Sequence, residues 1–185
     1  MEVEFHKTGE KHYAIVILRD NLPKLEMNPA PGFDPLMPHD MLHFLVEQEF
    51  GLHNAIFGQV ASGGTAGTFL QRPSESQNSR KDSRQRRKTK QIGKKMLKGG
   101  IDECIQSERA TYVCWQDWLA HSAKTDLREQ ADEMKMTAQS ILGQMDKAER
   151  ERFNQKNLAR IRARMDEISQ RWANLKTGEF ISLNW

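Results

Sequence analysis

The chain has 185 residues, of which 37% are hydrophobic, and its mean hydropathy is −0.75. This length favours a single domain, residues 1–185, with a modest core. Because no apolar run approaches ~20 residues, a membrane-spanning helix is excluded. The first twenty residues are charged throughout and lack the apolar centre of a signal peptide, so they predict a cytoplasmic protein.

The net charge of +3 hides a strong asymmetry along the chain. Residues 72–98 contain eleven basic and two acidic side chains, a net charge of +9, and the remainder carries −6. Few apolar residues lie between about 64 and 100, which predicts a flexible polybasic insert in an acidic body.

The insert could bind nucleic acid or another polyanion, since Lys and Arg neutralise phosphates without reading sequence. It lacks aromatic side chains for base stacking. The alternative is a solvated insert that binds nothing. The candidate contact residues are Arg84, Arg86, Arg87, Lys88 and Lys90.

The N-terminal region predicts a β-hairpin followed by an extended segment. Residues 1–8 alternate apolar and polar side chains, and residues 13–18 are rich in β-branched ones. Five of the six prolines lie in residues 21–38, which predicts a connection that is neither helix nor central strand. Pro38 then suits the first turn of a helix that ends at Gly51, and a short helix follows over 53–61.

Helical periodicity returns at Ile101 and continues, with a break near Ser122, to Gly143. A further helix is predicted over 146–175, and its single apolar stripe leaves open a coiled-coil homodimer. The last residues, 179–185, alternate like a strand that could join the hairpin in a three-stranded antiparallel sheet. The prediction is therefore an α+β fold, mostly helical. Cys104 and Cys114 are predicted to be reduced thiols.

The stretch PHDMLHFLVEQEFGLH contains the candidate functional site. On a helix, with His39 at zero, His43 lies at about 40°, Glu47 at about 80° and Asp40 at about 100°. These four polar side chains border the apolar face. His39 and His43 are candidate ligands of Zn²⁺, with Asp40 or Glu47 as a further ligand or as the catalytic base for a bound water. Alternatively, Asp40 stabilises the helix N-terminus and the histidines bond to the proline-rich loop.

The residues HDMLH resemble the HExxH motif of zinc peptidases, with Asp in place of Glu. That resemblance implies His39 and His43 as ligands and Asp40 as the general base. The shorter Asp and the lack of a third ligand at a family spacing are departures. The same residues also resemble the HDxxH zinc motif of a coenzyme Q biosynthesis family, in which Glu follows after eleven residues. Ala55 occupies that position here.

As a whole, the chain resembles an uncharacterised bacterial family through MPHDMLHFLVEQEFGL and WANLKTGEFISLNW. That resemblance implies a bacterial cytoplasmic protein and no particular activity. Three functions stay open: a metal-dependent hydrolase, a non-enzymatic module that binds a polyanion, and a small assembly protein.

Overall fold

The computed structural model describes residues 1–71, residue 91 and residues 98–185. Within these residues it contains six helices and a five-stranded antiparallel sheet, so the predicted α+β fold is confirmed. In the same part of the chain, no helix combines the length and the apolar character needed to cross a membrane.

The sheet begins with the predicted hairpin of β1, Glu2–Gly9, and β2, His12–Leu18. The C-terminal strand β5, Phe180–Asn184, pairs with the other side of β1, as predicted. Both chain ends therefore meet at one edge of the sheet, where the Trp185 amide donates to the Met1 carbonyl oxygen over 2.9 Å.

Two further strands make the sheet larger than the predicted three strands. The proline-rich connection forms β3, Leu25–Ala30, which pairs with β2, and β4, Leu70–Gln71, extends β3. Pro29 is tolerated because a register shift separates the β2–β3 pairs on either side of it, and the β3–β4 pairs involve only Leu25 and Glu26. The missing N–H of Pro29 therefore removes no backbone hydrogen bond between paired strands.

The helices mostly follow the predicted boundaries. They are α1, His39–Phe50; α2, Ile56–Ala61; α3, Ile101–Ala120; α4, Thr125–Gln144; α5, Lys147–Glu151; and α6, Gln155–Asn174.

The predicted helix over 146–175 is divided into α5 and α6. The side chain of Asn154 accepts a hydrogen bond from the Asn157 amide over 3.0 Å and so caps a new helix start. By contrast, α1 ends where predicted, because Gly51 adopts a left-handed conformation with φ of 66°.

Helix α1 is enclosed by other elements on both sides. Its Phe44 ring packs edge-on against Phe5 of β1, with centroids 6.3 Å apart. Helices α3 and α6 also contact α1, and α4 packs along α3. Most side chains of α1 are therefore buried, including the polar Asp40, His43 and Glu47.

The predicted insert lies only partly within the described residues. Residues 64–71 are described, and they include the buried Phe69 and strand β4. The candidate nucleic-acid-binding residues Arg84, Arg86, Arg87, Lys88 and Lys90 lie outside the described residues.

Candidate metal centre

Helices α1 and α3 bring His39, His43 and Glu108 together. One ligand atom from each of them lies within 4.8 Å of those of the other two, so this group could hold a metal ion. The two Nε2 atoms are 3.0 Å apart, and Glu108 Oε2 lies 3.5 Å from Nε2 of His43 and 4.0 Å from Nε2 of His39. Among the described residues, neither ring bonds to a main-chain oxygen.

Hydrogen bonds behind His43 determine which ring nitrogen faces the group. Ser107 Oγ donates to Glu47 Oε1 over 2.8 Å, and lies 2.8 Å from His43 Nδ1. When Glu47 is ionised, the single hydroxyl proton of Ser107 goes to Glu47, so Ser107 accepts from the Nδ1–H of His43. In the neutral ring the Nε2 atom of His43 is then unprotonated, which is the state that a metal ligand needs. The contact between the two rings is accordingly a hydrogen bond donated by His39.

Glu47 lies behind His43 rather than in the group of three. Its carboxylate is 0% exposed and accepts from the backbone amides of Ile56 and Phe57 over 3.2 and 2.8 Å, at the start of α2. Burial raises the pKa of Glu47 to about 7, although its hydrogen bonds act in the opposite direction. Glu47 therefore contacts the centre through Ser107.

Asp40 also lies outside the group of three. Its Oδ2 is hydrogen-bonded to the hydroxyl of Tyr13, which also contacts the Pro31 carbonyl oxygen. Burial raises the pKa of Asp40, and burial with the adjacent Asp40 raises the pKa of Tyr13. The Tyr13 hydroxyl of β2 therefore contacts both the start of α1 and the loop before it. The hydrogen bond between Asp40 and Tyr13 thus links α1 to β2.

The electrostatics of the centre favour ligands in the forms that bind cations. Burial, followed by the neighbouring charge of His43, lowers the pKa of His39 and favours the neutral imidazole. The imidazolium form of His43, 3.5 Å away, lowers the pKa of Glu108 by donating from Nε2 and by its charge, and so favours the carboxylate. Protons therefore compete weakly for these two side chains at neutral pH.

A glycine fixes the backbone beside His39. The carbonyl oxygen of Gly32 accepts from the His39 amide over 3.0 Å, and Gly32 has a φ of +72°. A Cβ at this position would lie 2.8 Å from the Cβ of His39. The loop before α1 can approach His39 so closely only because residue 32 lacks a side chain.

A cavity of about 320 Å³ adjoins the group. His39 and Glu108 contribute to its wall, together with Thr111, Asp34 and Gly32. The rest of the wall is apolar or aromatic: Phe33, Met37, Leu42, Tyr112, Trp115 and Met134. Two of the three side chains, His39 and Glu108, therefore border a space that a small molecule could enter.

Helical spacing alone was sufficient to place His39 and His43 one turn apart, but it did not identify Glu108. That residue is 65 positions beyond His43 on another helix, and its side chain is 63% exposed, which is typical of a solvated helix face. The polar residues Ser107 and Thr111, one turn apart and both buried, were the available signal that this face of α3 meets polar partners.

A comparison of the chain with family models, curated proteins and solved structures finds no match.

Proposed function

We propose that the protein binds a divalent transition-metal ion, Zn²⁺ in the first place, through His39, His43 and Glu108. The observation that carries the proposal is the convergence of two imidazole nitrogens and one carboxylate oxygen within 4.8 Å. Two histidines and a glutamate form a ligand set used by catalytic zinc, and they leave a fourth position for water or substrate.

The proposed activity is hydrolysis. A zinc ion with an open position lowers the pKa of a bound water toward neutrality and polarises a carbonyl group. The adjoining cavity provides the space in which a substrate would meet that water. In this proposal Asp40 and Glu47, the bases suggested by the sequence, instead position the helix and the His43 ring, because both carboxyl groups are already engaged.

Zinc titration by calorimetry, combined with elemental analysis, tests the site. We expect one zinc per chain, and we expect His39→Ala, His43→Ala and Glu108→Gln each to weaken binding by roughly a hundredfold or more. His12→Ala and Glu133→Gln are matched controls, because both residues are exposed and lie outside the group. Wild-type stoichiometry and affinity in all three site variants would reject the proposal.

A second candidate function is polyanion binding by residues 72–98, supported by their net charge of +9. Affinity for duplex DNA, measured between 50 and 200 mM salt, is compared between the full chain and a variant with a Gly/Ser linker in place of the segment. We expect binding that weakens steeply with salt and is lost in the variant. Equal binding by both proteins, or none at low salt, excludes this function.

A further inference from the structure

The cavity beside the metal centre identifies a ligand class. We propose that it receives the uncharged apolar body, one or two rings in size, of a small molecule whose oxygen-bearing head group binds the metal ion. This inference rests on the proposed metal site and adds to it which molecules the site accepts.

The wall of the cavity supplies the apolar character. Phe33 and Met37 come from the loop before α1, Tyr112 and Trp115 from α3, and Met134 from α4. Aromatic and thioether side chains bind flat apolar groups through large contact areas and adaptable shape. The side chains of three separate elements thus form an apolar surface directly beside His39 and Glu108.

The charges of the wall exclude an anionic body. Asp34 and Glu108 carry the formal charges of the cavity, and no Lys or Arg lines it among the described residues. Once Glu108 holds the ion, a carboxylate or phosphate on the ligand body would leave water and lie near the negative charge of Asp34, with no Lys or Arg in the wall to pair with it. The metal ion would bind the oxygen-bearing head group of the ligand. No cation would then remain in the wall to pair with a negative charge on the body of the ligand.

The volume sets the size of the body. At about 320 Å³, the cavity lies at the lower end of the ~300–1,000 Å³ typical of small-molecule sites. A peptide segment would extend beyond it, whereas one or two rings with a short head group would fit within it.

Three hydroxamic acids test the inference with zinc-loaded protein in calorimetry. Acetohydroxamic acid supplies the metal-binding group alone, benzhydroxamic acid adds a neutral ring, and 4-carboxybenzhydroxamic acid adds a charge to that ring. We expect benzhydroxamic acid to bind roughly ten- to a hundredfold more tightly than the acetyl compound, because the ring buries apolar area. The carboxylated ring should lose most of this gain.

A charge introduced into the wall provides an independent check. Met134→Lys places a cation at the cavity, so we expect it to reduce the preference for the neutral over the carboxylated ring by about tenfold. Met136→Lys is the control, because Met136 lies on the same helix, is 75% exposed and does not line the cavity. Circular dichroism and zinc affinity confirm that both variants remain folded and loaded.

The outcomes separate the inference from the proposed function. If the chain binds no zinc, both are overturned. If zinc binds at His39, His43 and Glu108 but the three hydroxamic acids bind with equal affinity, or the carboxylated ring binds best, the metal site stands and the ligand class is wrong. An equal effect of Met134→Lys and Met136→Lys would also overturn the assignment of the cavity.

Discussion

At the scale of single residues, Ser107 determines how His43 presents its ring. Its hydroxyl connects the ring to Glu47, and all three side chains are buried at the contact between α1 and α3. We expect Ser107→Ala to weaken zinc binding by roughly 10- to 100-fold, as loss of a partner that orients a metal ligand usually does. The stability should fall by about 1–3 kcal/mol, because Glu47 loses a buried donor.

Calorimetry with zinc and urea unfolding measure these two effects. Ser140→Ala is the matched control, since Ser140 is exposed on α4 and outside the group of three. If Ser107→Ala binds zinc as tightly as the control, the His43 ring is oriented by other contacts, of which Thr111 at 3.2 Å is the nearest.

Glu47 should make the stability depend on pH in an unusual direction. Its pKa rises from 4.5 to about 7 on folding, so between these pH values the folded chain holds a proton that the unfolded chain has released. Stability from this group is therefore present below about pH 4.5 and lost as the pH rises to about 7. The shift corresponds to about 3 kcal/mol.

Urea unfolding at several pH values between 4.5 and 7.5 checks this prediction. We expect the difference in unfolding free energy between wild type and Glu47→Gln to shift by up to about 3 kcal/mol in favour of the variant across this range. Glu133→Gln should follow the wild-type pH dependence, because Glu133 is exposed. Parallel curves for wild type and Glu47→Gln would show that Glu47 is ionised in the folded protein throughout.

At the scale of elements, the position of α1 depends on the loop that precedes it. Gly32→Ala introduces both a left-handed backbone strain and a contact of 2.8 Å with the Cβ of His39. We expect a loss of roughly 1–2 kcal/mol from the strain alone and a further loss from the contact. Zinc affinity should also fall, since His39 must move.

Gly178→Ala separates these two causes. Gly178 has a φ of +94°, but a Cβ there would meet nothing within 4 Å. Thermal unfolding should show a lower stability of both variants, because both carry the backbone strain. Zinc calorimetry should show weaker binding only in Gly32→Ala. Unchanged zinc affinity in Gly32→Ala would mean that the loop does not position His39.

The elements themselves were largely predictable, since hairpin, helices and terminal strand follow from local periodicity and turn residues. The two features that the sequence did not predict, strand β3 and the burial of His43, have a common physical cause. Strand β3 contains Pro29, whose penalty vanishes only because its neighbours in the sheet are out of register there. Likewise, the polar residues of α1 were expected at the border of its apolar face, yet His43 is 2% exposed. Both depend on partners distant in sequence, which local patterns do not specify.

At the scale of the whole molecule, a bound ion would join α1 to α3, which are separated by residues 51–100. We expect zinc at a hundred times its Kd to add about 2.7 kcal/mol to the stability. The melting temperature should then rise by roughly 5–10 °C for a chain of this size.

Differential scanning calorimetry with and without zinc measures this increase. His43→Ala should show no increase, whereas replacing residues 72–98 by a Gly/Ser linker should leave it intact, because the three proposed ligands lie outside that segment. An increase that depends on residues 72–98 would place the zinc site elsewhere.

The pairing of β1 with β5 also makes the molecule convenient to observe. Fluorescent labels attached at Met1 and Trp185 would start from adjacent main-chain positions in the folded state, because these residues share a hydrogen bond of 2.9 Å. An unfolded chain of this length has a radius of gyration of about 45 Å. Energy transfer between the two labels would therefore fall sharply on denaturation, and it would report folding without any alteration of His39, His43 or Glu108.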